Sequence, residues 1–313
     1  MPPRLIINAD DFGLTPGINR AIVELYRAGV ITSATLMATG PAFEDAAALA
    51  RANPGLGVGC HLVFVDGMPL SHAESIPSLL GADGKCFRPS IHDFAQATLR
   101  NTIGAADLAR ETAAQIQRVQ RAGIDVTHID SHKHAHLFPA IAKTVTHIAR
   151  RCGVSAMRYP FEPQWSAEIS RETTPLMRRL QLKLLHRFEP GFRALTDTSG
   201  ETTTAGTLGI AATGTLEQNS LRELLNALLA RKEDGTLYEL CCHPGHMDIA
   251  LGAESNRLRE TREAEYRALL AVIPEIREHP NGPQLIHYGN LGVPGLQRAS
   301  GQFTPNTGYE KVL

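Results

Sequence analysis

The amino-acid sequence predicts an α/β protein, an irregular (β/α) barrel of the TIM-barrel type. Short apolar runs alternate with segments of helical periodicity along most of the 313 residues, which indicates a parallel sheet with helical crossovers. The length of the chain suits one large barrel. Acidic residues and histidines follow several predicted strands, and in such barrels the carboxyl ends of the strands form the active-site mouth.

The first half of the chain contains four predicted strands, each a short apolar run, and four helices with apolar residues at helical spacing. The strands are expected at residues 4–9, 33–37, 56–64 and 126–129, and the helices at residues 17–28, 43–52, 108–122 and 139–151. Gly29 and Gly123 stand where two of these helices should end. Residues 66–90 are rich in glycine and proline and predict a long loop.

The second half of the chain is less regular. Further strands are expected at residues 154–158, 207–212, 237–242 and 284–287, and further helices at residues 221–231 and 260–272. Residues 162–204 are basic and apolar with few turn signals, which predicts a helical insertion. We therefore expect a single domain over residues 1–296 and a polar tail over residues 297–313.

The bulk composition excludes some functional classes. The formal net charge is −1, and no long basic run gives an electrostatic case for nucleic acid. Five cysteines without regular spacing do not predict a disulfide framework and fit a reducing compartment. The N-terminus lacks the anatomy of a signal peptide, and no apolar run approaches the roughly 18 residues that span a bilayer. We expect a soluble cytoplasmic protein, either a monomer or a homo-oligomer.

The strongest chemical signal is a group of three histidines that alternate within residues 130–136, DSHKHAH, directly after a predicted strand. In extended geometry alternate side chains share one face, so these histidines could act together; a histidine-rich polar loop is the alternative. His61 ends the third predicted strand. Alone it would be interpreted as a hydrogen-bonded scaffold residue, but it should meet the histidine group at the barrel mouth.

Two adjacent acids, Asp10 and Asp11, follow the first strand, where they are costly unless a positive charge compensates them. A helix N-cap would explain one of them. One carboxylate and two imidazoles form a usual ligand set for a catalytic divalent metal, and the second carboxylate would be free to act as a general base on water. Ligand softness favours zinc; cobalt, iron, manganese and magnesium are the alternatives.

Two further residues follow predicted strands. Arg158 could steady the base or bind substrate, and an ordinary surface arginine is the alternative. His243 could be the general acid for a leaving amine; otherwise it is a strand-end histidine packed by Cys241 and Cys242.

Six segments together carry a resemblance to a known family, the YdjC-type carbohydrate deacetylases. They are residues 5–14 (LIINADDFGL), 31–35 (ITSAT), 59–62 (GCHL), 130–136 (DSHKHAH), 157–160 (MRYP) and 238–245 (YELCCHPG), and the resemblance spans about residues 4–291. It implies an irregular barrel related to the NodB-like deacetylases. It also implies a divalent metal on Asp11, His61 and His132, with Asp10 as the base, and hydrolysis of the amide of an N-acetylated sugar.

One branch of this family is the most similar. Lys133 and residues 58–67 (VGCHLVFVDG) resemble the hopanoid-biosynthesis-associated deacetylases called HpnK, whereas chitooligosaccharide deacetylases usually have a histidine in place of Lys133. This implies an N-acetylglucosaminyl head group on a hopanoid lipid as substrate. The basic and apolar residues 162–204 could then rest on the inner membrane, or pack their leucines against the barrel and expose their arginines.

Other functions would use the same residues. A chitooligosaccharide deacetylase is one, and a metal-dependent phosphoesterase or a different amidohydrolase would suit the same ligands. A sugar-binding or regulatory protein that has lost turnover is the last alternative, although such a protein has no physical need for the base Asp10.

Overall fold

A curled parallel sheet forms the centre of the computed structural model, which describes residues 2–172, 174–231, 235–253 and 258–291. Its strands are β1 (Arg4–Phe12), β2 (Ser33–Leu36), β3 (Gly57–Leu62), β4 (Ile129–Ser131), β5 (Thr207–Leu208), β6 (Leu237–Cys242) and β7 (Gln284–Leu285). The strands lie in the order β4-β3-β2-β1-β6-β5, and β7 pairs with the first two residues of β1. The predicted α/β fold of the TIM-barrel type is confirmed.

Helices cover the sheet. They are α1 (Pro16–Arg27), α2 (Phe43–Ala52), α3 (Ile91–Leu99), α4 (Ala105–Arg121), α5 (Pro139–Arg151), α6 (Gln164–Ile169), α7 (Leu176–Leu185), α8 (Glu189–Ser199), α9 (Gln218–Ala230), α10 (Ile249–Ala253) and α11 (Arg262–Glu278). The spacing in α1 shows why they form: Ile18, Ile22 and Leu25 are buried on one face, and the Thr15 side chain caps the first turn.

The first strand is longer than the sequence predicts. It runs through Asp10 and Asp11 to Phe12, so both carboxylates lie within the strand instead of following its end. Its pairing with β2 shifts between Ala9 and Phe12, and Asp11 has a left-handed φ of 64°. A regular strand would turn adjacent side chains to opposite faces. The irregularity allows both carboxylates to reach the same mouth.

The barrel closes weakly between β4 and β5, through residues 154–161. Ile129 of β4 forms a single bridge with Met157, and Ala156 forms another with Thr202. The prediction of a full strand over residues 154–158 is therefore wrong. Pro160 soon follows these bridges and has no N–H to donate to a ladder.

Other boundaries also differ from the prediction. β5 ends at Leu208, before the expected residue 212, because Gly209 has a left-handed φ of 88°. β4 includes Asp130, which was expected to follow the strand. Helix α3 was not predicted, and α11 continues through Pro274 to Glu278.

Residues 162–204, described except for Thr173, contain α6, α7 and α8. Helix α8 is anchored by the fully buried ring of Phe192, which contacts Tyr159 and Phe161 edge to face. Helix α7, all of which is described, has no buried residue. The polar tail expected over residues 297–313 lies outside the described residues.

Two expectations concern cysteines and membrane spans. Within the described part of the chain the five cysteines are free, as expected. In the same part, no helix combines the length and the apolar character that crossing a bilayer requires.

Candidate metal centre and active site

The carboxyl ends of β1, β3 and β4 bring the predicted residues together. Asp11 Oδ1 lies 3.6 Å from His61 Nε2 and 3.3 Å from His132 Nδ1. One ligand atom from each of these residues lies within 4.8 Å of the other two. Asp11 and His61 are buried, and the His132 side chain is 13% exposed, so the group opens towards solvent on one side.

The ring nitrogen of His61 that faces away from Asp11 is hydrogen-bonded to Asp130, as expected for a histidine that binds a metal. His61 Nδ1 donates to Asp130 Oδ1 at 2.7 Å, which turns Nε2 towards Asp11. A carboxylate behind a histidine is the usual support for a histidine that binds metal. Burial alone would lower the pKa of His61, but Asp130, Asp10 and Asp11 raise it to about 9 in the metal-free protein.

The charges of the site also suit a cation. Burial opposes ionisation of Asp10, Asp11 and Asp130, yet Arg158 or Arg262 beside each carboxyl holds its pKa below the usual value. Three carboxylates and two guanidiniums leave a negative excess, which attracts a cation. The buried histidine and aspartate groups could therefore hold a metal ion, and their chemistry does not fix its identity.

Two other groups of donor atoms are close enough for a metal but are less suitable. One contains Asp10, Cys241 and His243, and the other contains Asp10, His61 and Asp130. Both oxygens of Asp10 and Oδ2 of Asp130 already pair with the guanidinium of Arg158, which competes with a metal for the same lone pairs.

Arg158 is completely buried and connects three carboxylates. It donates to both oxygens of Asp10, at 2.8 and 2.6 Å, and it pairs with Asp130 at 2.7 Å and Glu239 at 2.6 Å. The alternative of a surface arginine is wrong. Asp10 is consequently a fixed, ionised carboxylate: burial would raise its pKa, but the charge and hydrogen bonds of Arg158 lower it.

His243 is a second residue, besides Arg158, that lies next to Asp10. Its Nε2 is 3.7 Å from Asp10 Oδ2, and its buried Nδ1 has no hydrogen-bond partner among the described residues. Burial lowers the pKa of His243 to about 4, so the ring is neutral near pH 7. Its backbone N–H donates to Glu265 Oε1 at 2.8 Å, which fixes the position of the loop after β6.

The three histidines after β4 do not share one face, because residues 132–137 form 3-10 turns instead of an extended segment. Lys133 and His134 have left-handed φ values of 55° and 53°. His136 turns inward, contacting Ser131 Oγ at 2.6 Å and the carbonyl of Arg158 at 3.2 Å. Only His132 of the three joins the group with Asp11, so the interpretation based on alternation is wrong.

Three residues that support the site were not predicted from the sequence. Arg262 donates to Asp11 Oδ2 at 2.5 Å, Glu239 accepts from Arg158 and from Tyr288, and Glu265 holds His243. An available signal for Glu239 was an acid in the middle of the apolar strand β6. Arg262 and Glu265 lie in the first turn of α11, and the sequence gives no local sign of their long-range contacts.

Comparison with known proteins places most of the chain in one family. Residues 4–276 match the model of the family described as YdjC-like protein. The chain is 33% identical to a carbohydrate deacetylase of Geobacillus stearothermophilus over 293 residues, which cover 92% of this chain and 98% of that protein. It is 44% identical to a chitooligosaccharide deacetylase of Enterobacter sp. (strain 638) over 176 residues, which cover 56% of this chain and 66% of that one.

A solved structure has the same fold as this chain. A crystal structure of a protein from Enterococcus faecalis V583 superposes with a TM-score of 0.74 at 24% identity, covering 94% of this chain and all of that one. The family match extends over most of the chain and contains every predicted site residue, from Asp10 to His243. The chain therefore belongs to the YdjC-like family, and the two relatives compared above are carbohydrate deacetylases.

Proposed function

We propose that this protein is a hydrolase that cleaves the amide C–N bond of an N-acetylated amino sugar and releases acetate. The observation that carries the proposal is the meeting of Asp11, His61 and His132 beside an ionised Asp10 and a neutral His243. The names of the two relatives, a carbohydrate deacetylase and a chitooligosaccharide deacetylase, support the same reaction.

Asp11, His61 and His132 are the residues that would hold one divalent cation, for which zinc suits the two imidazoles best. When bound, such a cation polarises the acetyl carbonyl and makes a nearby water more acidic. The histidine ligands have to be neutral to bind it, so loading releases the proton that Asp130 helps to hold on His61.

Asp10 accepts the proton of the attacking water in the proposed reaction. Arg158 fixes both carboxylate oxygens and keeps Asp10 ionised, so the acceptor is available at neutral pH. A carboxylate of such low basicity holds a proton poorly, and the proton has to move on.

His243 is the next carrier of that proton. It is neutral in the free protein and has to receive a proton before it can donate one. Its Nε2 is the ring atom that faces Asp10, at 3.7 Å. A relay from water to Asp10, to His243 and to the amine nitrogen delivers one proton to the leaving group as the C–N bond breaks and acetate departs.

Acetate release from diacetylchitobiose tests the reaction, with metal content measured on the same samples. We expect turnover by the loaded protein and its loss after EDTA treatment. Asp10→Asn should keep the metal and lose roughly 100-fold or more of the turnover, because the amide keeps the shape and removes the basicity. Asp125→Asn, at an exposed position away from the site, is the matched control and should stay active.

Two results would contradict the proposal. Near wild-type activity of Asp10→Asn would remove Asp10 as the base. Hydrolysis of a phosphate ester without any acetate release from N-acetylated sugars would favour a phosphoesterase on the same ligands.

We further propose that the sugar is the head group of a lipid, an N-acetylglucosaminyl hopanoid. Support comes from the resemblance of Lys133 and residues 58–67 to the HpnK branch, and from the exposed apolar side chains of α7. Lys133 lies at the mouth and pairs with Asp66 at 3.2 Å. Specificity constants for the glycolipid and for diacetylchitobiose at matched concentrations decide the point: a clear preference for diacetylchitobiose would assign this chain to the chitooligosaccharide enzymes.

A further inference from the structure

Helix α7 exposes an apolar stripe to solvent. The stripe consists of Leu176, Met177, Leu180 and Leu184, whose exposed fractions are 63%, 67%, 53% and 57%. Positions four and eight residues apart lie on the same side of a helix, so Leu176, Leu180 and Leu184 form one row and Met177 widens it. Four large apolar side chains exposed on a single helix form a patch that a partner usually covers.

The charge beside the stripe has one sign. Residues 174–188 contain no acidic residue and four basic ones, which are Arg178, Arg179, Lys183 and Arg187. Arg179 and Lys183 lie three residues after Leu176 and Leu180, so they form the row next to the stripe. A partner that covers this helix should therefore offer an apolar region to the stripe and negative charge to the basic row beside it.

We infer that the apolar stripe of α7 docks on the surface of an anionic lipid bilayer. An amphipathic helix with apolar side chains on one face and lysine or arginine beside them lies in the bilayer interface in this way. A second copy of the chain fits less well, because a symmetric contact between two α7 helices would bring like charges together. The stripe is the outside of one helix and not a groove, so it offers no slot for a peptide.

The position of α7 relates the stripe to the active site. Pro175, directly before α7, lines a cavity of about 200 Å³ together with Thr213, Thr215 and Leu258. These three residues follow the carboxyl ends of β5 and β6, which is the edge of the sheet where His243 lies. Docking through α7 would hold this edge next to the bilayer, whichever N-acetylated sugar the enzyme uses.

Vesicle flotation of the full chain tests this inference. We expect the protein to float with vesicles of phosphatidylcholine and phosphatidylglycerol, to float much less with phosphatidylcholine alone, and to be released by high salt. The double variant Leu180→Ser/Leu184→Ser should lose at least roughly tenfold in partitioning. Leu99→Ser is the matched control, because Leu99 is 67% exposed but lies at the end of α3, outside the stripe.

A second pair of measurements separates docking from catalysis and from folding. The double variant should retain the thermal midpoint and the turnover of soluble diacetylchitobiose, because both leucines are exposed and lie outside the site. Flotation of the wild-type protein would stand even if it released no acetate, so failure of the proposed reaction and failure of docking are distinguishable.

Three results would overturn the inference. The first is that the wild-type protein does not float with the anionic vesicles. The second is that Leu99→Ser loses as much partitioning as the double variant. The third is that the wild-type protein is a dimer in solution that the double variant converts to a monomer, in which case a second copy covers the stripe.

Discussion

The two adjacent carboxylates of β1 show how partners divide chemical roles between identical side chains. Asp10 has both oxygens bound by Arg158, whereas Asp11 gives Oδ2 to Arg262 and leaves Oδ1 facing His61 and His132. Asp11 can thus offer one oxygen to a metal without losing its own support. Asp10 remains an ionised acceptor for a proton.

We predict that His61→Ala and His132→Ala each lose most of the bound metal, because each removes one of three protein ligands. Elemental analysis of the purified variants measures this directly. His92→Ala, at an exposed position on α3, is the control and should retain the metal. Full occupancy in both site variants would show that the ligand assignment is wrong.

We predict that Arg158→Lys remains folded but loses roughly 100-fold in turnover. Lysine keeps one positive charge but cannot form the bidentate hydrogen bonds to both oxygens of Asp10. Arg158→Met should cost roughly 3–5 kcal/mol of stability, because it leaves buried carboxylates without their cation. Urea unfolding and acetate release measure the two effects. Equal activity of wild type and Arg158→Lys would reduce Arg158 to a purely structural residue.

At the level of secondary-structure elements, the first turn of α11 connects both halves of the site. Arg262 reaches Asp11 on β1, and Glu265, three residues later, accepts a hydrogen bond from the backbone N–H of His243 after β6. Burial raises the pKa of Glu265 to about 7, so this carboxyl is partly protonated near neutral pH. The start of one helix therefore sets the distance between the metal group and the proposed general acid.

This raised pKa makes stability depend on pH. The folded protein holds the proton of Glu265 more tightly than the unfolded chain, so the stabilising effect is complete below about pH 4.5 and is lost as the pH rises through about 7. Glu265→Gln removes the titration and keeps an oxygen acceptor. We predict that the variant gains up to roughly 3 kcal/mol relative to wild type between pH 5 and pH 8.

Urea unfolding of the metal-free proteins at both pH values measures this difference. Glu278→Gln, exposed at the end of α11, should behave like wild type at both. The same offset between wild type and Glu265→Gln at the two pH values would contradict the prediction.

At the level of the whole molecule, the site is assembled from distant parts of the chain. The side chains that form it are far apart in sequence and meet only in the folded barrel; they are Asp11, His61, His132, Arg158 and Arg262. A metal bound there binds the folded state and not the unfolded chain. At about 100 times its dissociation constant it should add roughly 2.7 kcal/mol of stability, or about 4 °C in the thermal midpoint of a chain of this length.

Calorimetry with and without EDTA measures that gain. His132→Ala should show the same midpoint in both conditions, because it lacks a ligand. A midpoint in the wild-type protein that does not respond to EDTA or to added zinc would contradict metal binding at this site.

Much of this arrangement is predictable from the sequence, and the rest has identifiable physical causes. The strand holding Asp10 and the strand holding His61 each contain a short apolar run before the site residue, and parallel strands place their ends at one mouth. The turns after β4 were not predictable, because the left-handed backbone conformation of Lys133 and His134 leaves no periodic pattern in the sequence. Arg262 and Glu265 were missed because their partners lie far away in sequence, and a helical pattern only separates buried from exposed faces.

The single bridges that close the barrel have a mechanical consequence. Residues 4–9 of β1 pair continuously with β6, whereas the connection from β4 towards β5 includes two isolated bridges, from Ile129 to Met157 and from Ala156 to Thr202. The three helices α6–α8 lie between these two bridges along the chain. A force applied to those helices would act on the barrel at these two bridges. We therefore expect the barrel to open there first, while the strands that hold Asp11 and His61 stay paired.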